Sequence, residues 1–425
     1  MRDKGYDTMN EKKVIKGNFL YTKDKDSFEI HENSFLVLDK KHIVGLFQHL
    51  PKEYQKAPLT DYHDAIIIPS FIDLHIHAPQ YLQRGIGLDL QLVDWLEQYT
   101  FHSEMKFCNQ TYAREVYEAF AQDLYDNGSL RSCVFGTIHN KSNQILVETM
   151  KSHHLASYIG KVNMNQNGPQ DLLQTTEDSY QETVDFIEQN EDSLVQPIIT
   201  PRFAPSCSQS LLKKLGTLSQ EKHVPVQTHL AENREEVAWV KDLFPQYKNY
   251  SDVYFQNHLY GCEKTIMAHA IYLNDDEVHM AVNKNLYLAH CPNANLNLSS
   301  GIMSVTKYLD ESIQVGLGSD VGAGHSMSMA HCITSAIQCS KMRQLIYPKE
   351  RVLTESEAFY MATKLNGSFF GQTGSFEEGY LFDALVITDP MYSLQTFTPH
   401  EKLERFLYCG GKENIIARYL EGTRI

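Results

Sequence analysis

The chain has 425 residues, 42% of them hydrophobic and 21% charged, and a formal net charge of -15. That is a globular balance, with enough length for one large core and an appended smaller domain, or for two to three average domains. The acidity argues against a nucleic-acid partner, whose phosphates require a basic surface, and no apolar run is long enough to span a bilayer.

The opening Met1–Asn10 is polar and lacks an apolar signal core, so a soluble, cytoplasmic protein without a membrane partner is expected. Met1 and Met9 are both candidate start residues. The cysteines (Cys108, Cys133, Cys207, Cys262, Cys291, Cys332, Cys339, Cys409) form no Cys-x-x-Cys pair. Reduced thiols are therefore expected. The same spacing excludes a zinc ribbon and the zinc deaminase design that needs Pro-Cys-x-x-Cys.

Residues from about 12 to 68 read as short strands at Val14–Gly17, Phe28–Ile30, Ser34–Leu38 and Ile43–Phe47. Asn18, Asp24, Lys25, Asn33 and Asp39 punctuate them. A β-branched run, Ala65–Ile68, then leads through Pro69 into Phe71–Gln80, read as a further strand. From there short apolar strands alternate with amphipathic helices. Strands are expected at Cys133–Ile138, Ala156–Val162, Val195–Ile199, Val224–His229, Thr265–His269, Leu286–His290 and Ile313–Leu317. Helices are expected at Thr111–Tyr125, Ser179–Glu188, Ser208–Lys222 and Arg234–Phe244.

With the strand at His75 the count reaches eight βα units, which predicts an α/β protein built as a (β/α)8 TIM-type barrel. The tail returns to β texture at Phe382–Ile387, Phe406–Tyr408 and Asn414–Ile416. The expected organisation is a barrel over 69–369 and a small composite β-sandwich domain from 1–68 and 370–425.

Residues two apart on a strand share a face, so His75 and His77 present adjacent imidazoles. Alone, they read as ordinary core histidines. Other polar residues sit at later strand ends, where a barrel places its active site: His229, His269 and Asp320. Asp320 by itself reads as a helix cap. Together, His75, His77, His229 and Asp320 can supply the ligands of one metal ion, and Glu232, three residues past His229, reaches the same mouth to shuttle protons. A two-metal centre calls for a lysine ending the fourth strand, but that strand runs Ile198-Ile-Thr-Pro-Arg202. Lys161, one strand earlier, reads as structural, so one divalent metal per chain is expected.

These elements resemble the amidohydrolase superfamily, in Pro69-Ser-Phe-Ile-Asp-Leu-His-Ile-His77, His229, His269 and Gly318-Ser-Asp320. Within it the chain is similar to the guanine deaminases, over essentially its whole length. The more specific stretches are His77-Ala-Pro-Gln-Tyr81, Gly87 to Leu96 continuing to Phe101, Thr200-Pro-Arg-Phe203, His229-Leu-Ala-Glu-Asn233 and His290 to Gly301. The resemblance implies hydrolysis of guanine to xanthine and ammonia by a metal-activated water, with Zn2+ (Fe2+ the alternative), in a homodimer. It implies that Gln80, Arg202, Phe203 and His269 contact the purine, and that Glu232, His269 and Asp320 handle protons and developing charge. The family's usual Pro-Gly is Pro69-Ser70 here, and Val321-Gly-Ala-Gly324 permutes the small residues after Asp320.

The residue chemistry agrees: Gln80 offers a donor and an acceptor, and Arg202 a fork of donors for a purine carbonyl. Core packing competes as a reading of Phe203. His139 reads either as a residue behind the site or as an ordinary hydrogen-bonded histidine. Two alternatives stay open. One is a hydrolase of the same barrel acting on another ring, such as an adenosine-type or 8-oxoguanine deaminase or a triazine hydrolase. The other is a non-catalytic scaffold, which predicts lost ligands.

Overall fold

The computed structural model describes residues 12–190, 194–260, 264–391 and 394–425; the Met1–Asn10 opening with both candidate starts, and Cys262, lie outside them. The strands are β1 (Lys12–Thr22), β2 (Phe28–Asp39), β3 (His42–Phe47), β4 (Leu59–Pro69), β5 (Phe71–His77) and β6 (Ser129–Phe135). Next come β7 (Ala156–Gly160), β8 (Val162–Asn163), β9 (Val195–Pro197), β10 (Thr200–Pro201), β11 (Val226–Leu230) and β12 (Thr265–His269). The last are β13 (Tyr287–His290), β14 (Gln314–Leu317), β15 (Ala384–Ile387), β16 (Ile415–Leu420) and β17 (Thr423–Arg424). The mixed α/β class expected from the sequence is observed.

Two compact units result. The first holds the described part of Met1–Ile72 with Asp126–Leu130 and Thr354–Ile425. Its strands form one seven-stranded sheet in the order β17-β16-β15-β4-β1-β2-β3. Alternate residues of β1, β2, β4, β15 and β16, among them Tyr21, Leu36, Ile67, Val386 and Tyr419, meet Phe376 and Phe382 in a single core. These alternate residues line one face; the residues between them in β15 and in the second half of β1 are buried too, so both faces are covered there.

Two expectations change here. The stretch expected as two strands, Phe28–Ile30 and Ser34–Leu38, is one continuous strand, β2. Its punctuating Asn33 sits at φ 45 and donates its N–H to Asn18 Oδ1 at 2.9 Å, where the β1/β2 register shifts. The asparagines therefore mark a bulge that the ladder absorbs, not a strand end. Phe406–Tyr408, expected as β, belongs to the helix Pro399–Cys409. Thr398 and Glu401 form a capping box, Pro399 occupies the first turn, and Leu403, Phe406 and Leu407 supply a buried stripe at helical spacing.

The second unit, Asp73–Tyr125 with Arg131–Leu353, carries the parallel strands. They form sheets in the orders β5-β6-β7-β9 and β11-β12-β13-β14, with β8 and β10 paired in parallel. Every residue of β5, β6, β12 and β13 is buried, polar ones included, as in parallel strands covered on both faces. A parallel bridge joins Ile199 to Val226, at the edge of β11. Past the end of β14, the Asp320 N–H donates to the carbonyl of His75 on β5 at 2.8 Å. Long helices lie between strands, including Gln110–Asp126, Gln209–Lys222 and Arg234–Leu243.

No helix among the described residues is long and apolar enough to cross a membrane. The described cysteines are free thiols.

The Thr398 cap yields a test. Thr398→Ala removes the side-chain acceptor for the Glu401 N–H and is expected to cost about 1 kcal/mol. Chemical denaturation of native and variant protein should show the midpoint move down, and an unchanged midpoint would mean the cap adds nothing to this helix.

Candidate active site

The end of β5 delivers His75 and His77; β11 delivers His229, β12 ends on His269, and Asp320 follows β14. Their approach depends on close backbone packing. Gly318 lies against β5 so tightly that a Cβ there would sit 2.8 Å from His75 Cβ and 3.1 Å from its N and O. The buried Asp73 accepts N–H bonds from His75 at 3.1 Å and Ser319 at 3.0 Å, tying the two segments together. Ala231, His269, Ala270 and Asp320 all have left-handed backbones, with φ of 48, 71, 47 and 49. Such conformations cost non-glycine residues about 1 kcal/mol or more and collect at functional sites.

The side chains converge. His75 Nε2 lies 3.2 Å and His77 Nε2 3.4 Å from Asp320 Oδ1, and His77 Nε2 lies 3.2 Å from His229 Nε2. His269 Nε2 is 3.4 Å from Glu232 Oε2 and 3.7 Å from Asp320 Oδ2. Donor atoms of His75, His229, His269 and Asp320 all fall within 4.8 Å of one another. His77 joins them through its short contacts to His229 and Asp320. So five side chains meet here, the four expected as ligands plus His269.

The cluster fits a divalent metal ion. Two ligands bound at about 2.0–2.1 Å to one tetrahedral ion lie about 3.3 Å apart, which matches these spacings. His75 is fully buried, yet apart from the Nε2 contact to Asp320 its ring nitrogens have no hydrogen-bond partner among the described residues. An orphaned buried imidazole is costly unless something else takes its lone pair.

The electrostatics prepare the same state. Burial, reinforced by the neighbouring imidazoles, holds His229 well below the usual histidine range. Burial also lowers His75 and takes His77 down to about 4. Burial works to raise the Asp320 carboxyl, but the close imidazoles of His75, His77 and His269 hold it well below normal. Neutral imidazoles beside an ionised carboxylate are the protonation states that ligate metal. Glu232 behaves oppositely: burial, then the Asp320 charge, pushes it up to about 8, against the Ser300 hydroxyl bond to Oε1 at 2.8 Å. Outer contacts fix orientation. His269 Nδ1 meets Asn295 Oδ1 at 2.8 Å, and His229 Nδ1 meets the Arg202 carbonyl at 2.5 Å.

Beside the cluster lies a pocket lined by Leu92, Trp95, Leu96, Phe203 and Leu298, with Gln80, Arg202, Glu232, His269 and Asp320 facing it. Gln80 rides on the 3-10 helix after β5, and Arg202 follows β10. Phe203 lines the pocket and also packs edge-on against Trp239 at 6.0 Å. His139 is not among the lining residues; it heads the helix Asn140–Ser152, its Nε2 without a hydrogen bond. Lys161 is buried elsewhere, donating to Gln174, Asn163 and Ser179, with burial pushing it down to about 7.

Sequence reasoning passed over Glu104, Asn295, Ser300 and Glu236. Asn295 and Ser300 lie inside the His290–Gly301 stretch, which was noted as a motif without roles. Glu104 follows Phe101 with no distinguishing spacing. Glu236, which accepts the Glu232 N–H at 2.8 Å, is visible only as the fourth residue of an Asn-x-x-Glu capping box.

The amidohydrolase family profile matches residues 66–422, and the chain belongs to the amidohydrolase family. Its relatives there are more particular. It is 38% identical over 438 residues to the guanine deaminase of Rattus norvegicus, covering 97% of this chain and 96% of that one. It is 35% identical over 446 residues to the guanine deaminase of Dictyostelium discoideum, covering 97% and 98%. The crystal structure of guanine deaminase from C. acetobutylicum with guanine bound in the active site superposes with a TM-score of 0.96. That likeness comes at 43% identity over 97% of this chain and 100% of that one.

A pH test follows from Glu232. Its carboxyl titrates near 4.5 when unperturbed and near 8 in the fold. The folded state thus keeps a proton that the unfolded chain loses, and this group's stabilisation, complete below 4.5, is lost as pH rises through about 8. In metal-free protein, native stability should therefore fall relative to Glu232→Gln across that window. Parallel pH dependences for the two proteins would contradict the raised carboxyl.

Proposed function

We propose that this chain catalyses the hydrolytic deamination of guanine to xanthine and ammonia. The observation that carries the reading is the joint placement of Gln80 and Arg202 on an apolar slot that opens directly onto the histidine–aspartate cluster. A flat heteroaromatic base fits such a slot, and its carbonyl takes the N–H groups of Arg202.

The ligands assigned are His75, His77, His229 and Asp320, around one divalent ion, Zn2+ before Fe2+. When bound, such an ion supplies Lewis acidity that lowers the pKa of water from about 15.7 to about 7. The chain does the rest. As the oxygen of water adds to the amine-bearing carbon, Glu232 Oε2 takes one of its protons and passes it to the adjacent ring nitrogen; Asp320 takes the other, which goes to the amine as the C–N bond breaks and ammonia leaves. Burial disfavours the ionised form of Glu232, which suits a group that must hand a proton on. His269 Nε2, between Glu232 and Asp320, hydrogen-bonds the oxygen on which charge develops, and Asn295 holds its ring. Gln80, Arg202 and Phe203 hold the base, while Trp95 and Leu298 keep water from its faces.

Several structural readings accompany this one. The two parallel sheets are parts of one (β/α)8 barrel, and the seven-stranded sheet curls on itself as a β-sandwich. We divide the domains as 1–68 with 370–425 against 69–369, following the change of texture in the sequence. The protein is read as a cytoplasmic homodimer that serves purine catabolism and engages neither nucleic acid nor membrane. A related activity on another purine or a triazine is the nearest alternative, and the same assays separate it.

Glu232→Gln keeps the shape and the Ser300 contact but carries no proton. Its turnover should fall at least about 10²-fold with metal content retained; near-native turnover would remove Glu232 from the reaction. Base choice tests the substrate. Adenine carries an amine where guanine has its ring carbonyl, and Arg202 has only donors to offer it. Sites built around a polar partner reject such analogues by up to about 10⁴–10⁵. Catalytic efficiencies should show guanine used well and adenine hardly at all, with Arg202→Ala losing guanine turnover but not metal. A native preference for adenine, or an unaffected Arg202→Ala, would show the pocket assignment to be wrong.

A further inference from the structure

Glu104, on the short helix Phe101–Met105, is buried beside the pocket. One of its oxygens accepts a hydrogen bond from Gln80 Nε2 at 2.9 Å, and the other pairs with Arg202 Nη1. A single carboxylate therefore joins both polar residues assigned to the base. On its far side, Gln80 Oε1 accepts from the Gly322 N–H at 3.3 Å. With an acceptor on one flank and a donor on the other, the Gln80 amide has only one orientation. Arg202 is restrained too: its guanidinium carbon lies 5.4 Å from the Phe101 ring, and its backbone N–H donates to the Asn163 carbonyl at 3.1 Å.

We propose that Glu104 is a positioning and specificity residue that aims Gln80 and Arg202 together and sets the base pocket to prefer a neutral purine over an anionic one. This rests on the guanine reading. The argument is one of charge. Carboxylate and guanidinium form a buried pair that is neutral overall, so Arg202 meets the ligand as a hydrogen-bond donor without a surplus charge. Without the carboxylate, an uncompensated buried cation seeks an anion. Guanine is neutral. Xanthine has a second ring carbonyl, which makes a ring N–H more acidic, and it is an anion in mildly alkaline buffer. The intact pair therefore favours substrate over product, a difference that limits product inhibition.

The test uses the metal-loaded enzyme at one mildly alkaline pH, comparing native protein with Glu104→Gln, Glu104→Asp and Glu104→Gln/Arg202→Gln. Loss of an orienting partner typically costs about 10- to 100-fold, so Glu104→Gln should raise the KM for guanine by about that factor. Inhibition by xanthine should tighten about tenfold in the same variant. The double variant has no unpaired cation and should lose that gain. Glu104→Asp keeps the charge on a shorter arm, and it should raise the KM for guanine without tightening xanthine; it carries the test if Glu104→Gln folds poorly.

Unchanged xanthine inhibition in Glu104→Gln, or a gain that survives in the double variant or appears in Glu104→Asp, overturns the inference while leaving guanine as substrate. Native enzyme that releases no ammonia from guanine overturns the substrate reading and this inference with it.

Discussion

Four imidazoles and one carboxylate packed together out of water cannot satisfy one another. His77 Nε2 faces His229 Nε2 at 3.2 Å, and His75 Nδ1 has no hydrogen-bond partner among the described residues. Buried polar groups left this way destabilise a fold by roughly 1–3 kcal/mol each. A cation at their centre removes the conflict, because every lone pair then has a common acceptor. Much of the local structure serves to hold this otherwise unfavourable arrangement: the left-handed backbones at His269 and Asp320, the glycine at 318 pressed against β5, and the Asp73 carboxyl joining His75 to Ser319.

The recognition side is built on the opposite principle, since its charges cancel inside the chain. Arg202 pairs with Glu104, and the slot beside it is apolar. The Arg202 carbonyl meets His229 Nδ1, so the residue proposed to face the base also orients a residue of the histidine–aspartate cluster. On the proposed reading, base binding and metal geometry would be coupled through one backbone segment. Glu232 stands between the two regions, its N–H held by Glu236 and its carboxyl by Ser300.

How much of this was legible before folding depended on the kind of signal. His75 and His77 could be paired because a strand repeats every two residues, and both do lie at the end of β5. His229, His269 and Asp320 stood out because polar residues ending apolar strands are conspicuous. Glu104 was not legible, since a buried carboxylate on a helix carries no pattern until its partners, 24 and 98 residues away, are seen beside it. The helix Pro399–Cys409 is hidden in the sequence because Phe406-Leu-Tyr408 is too short to display a period, and its start is marked only by the Thr398–Glu401 box eight residues before Phe406. The asparagines that appeared to break β2 form its bulge with β1, a relation between strands that a single segment cannot reveal.

The central claim is that one ion, held by this cluster, makes the chain a guanine deaminase. It is tested most directly by stripping the protein of metal and restoring Zn2+ stepwise while following conversion of guanine to xanthine. The account predicts no turnover in the stripped protein and a linear return of activity that levels off at one equivalent per chain. Turnover that persists without metal, or that continues to rise to two equivalents, would contradict it.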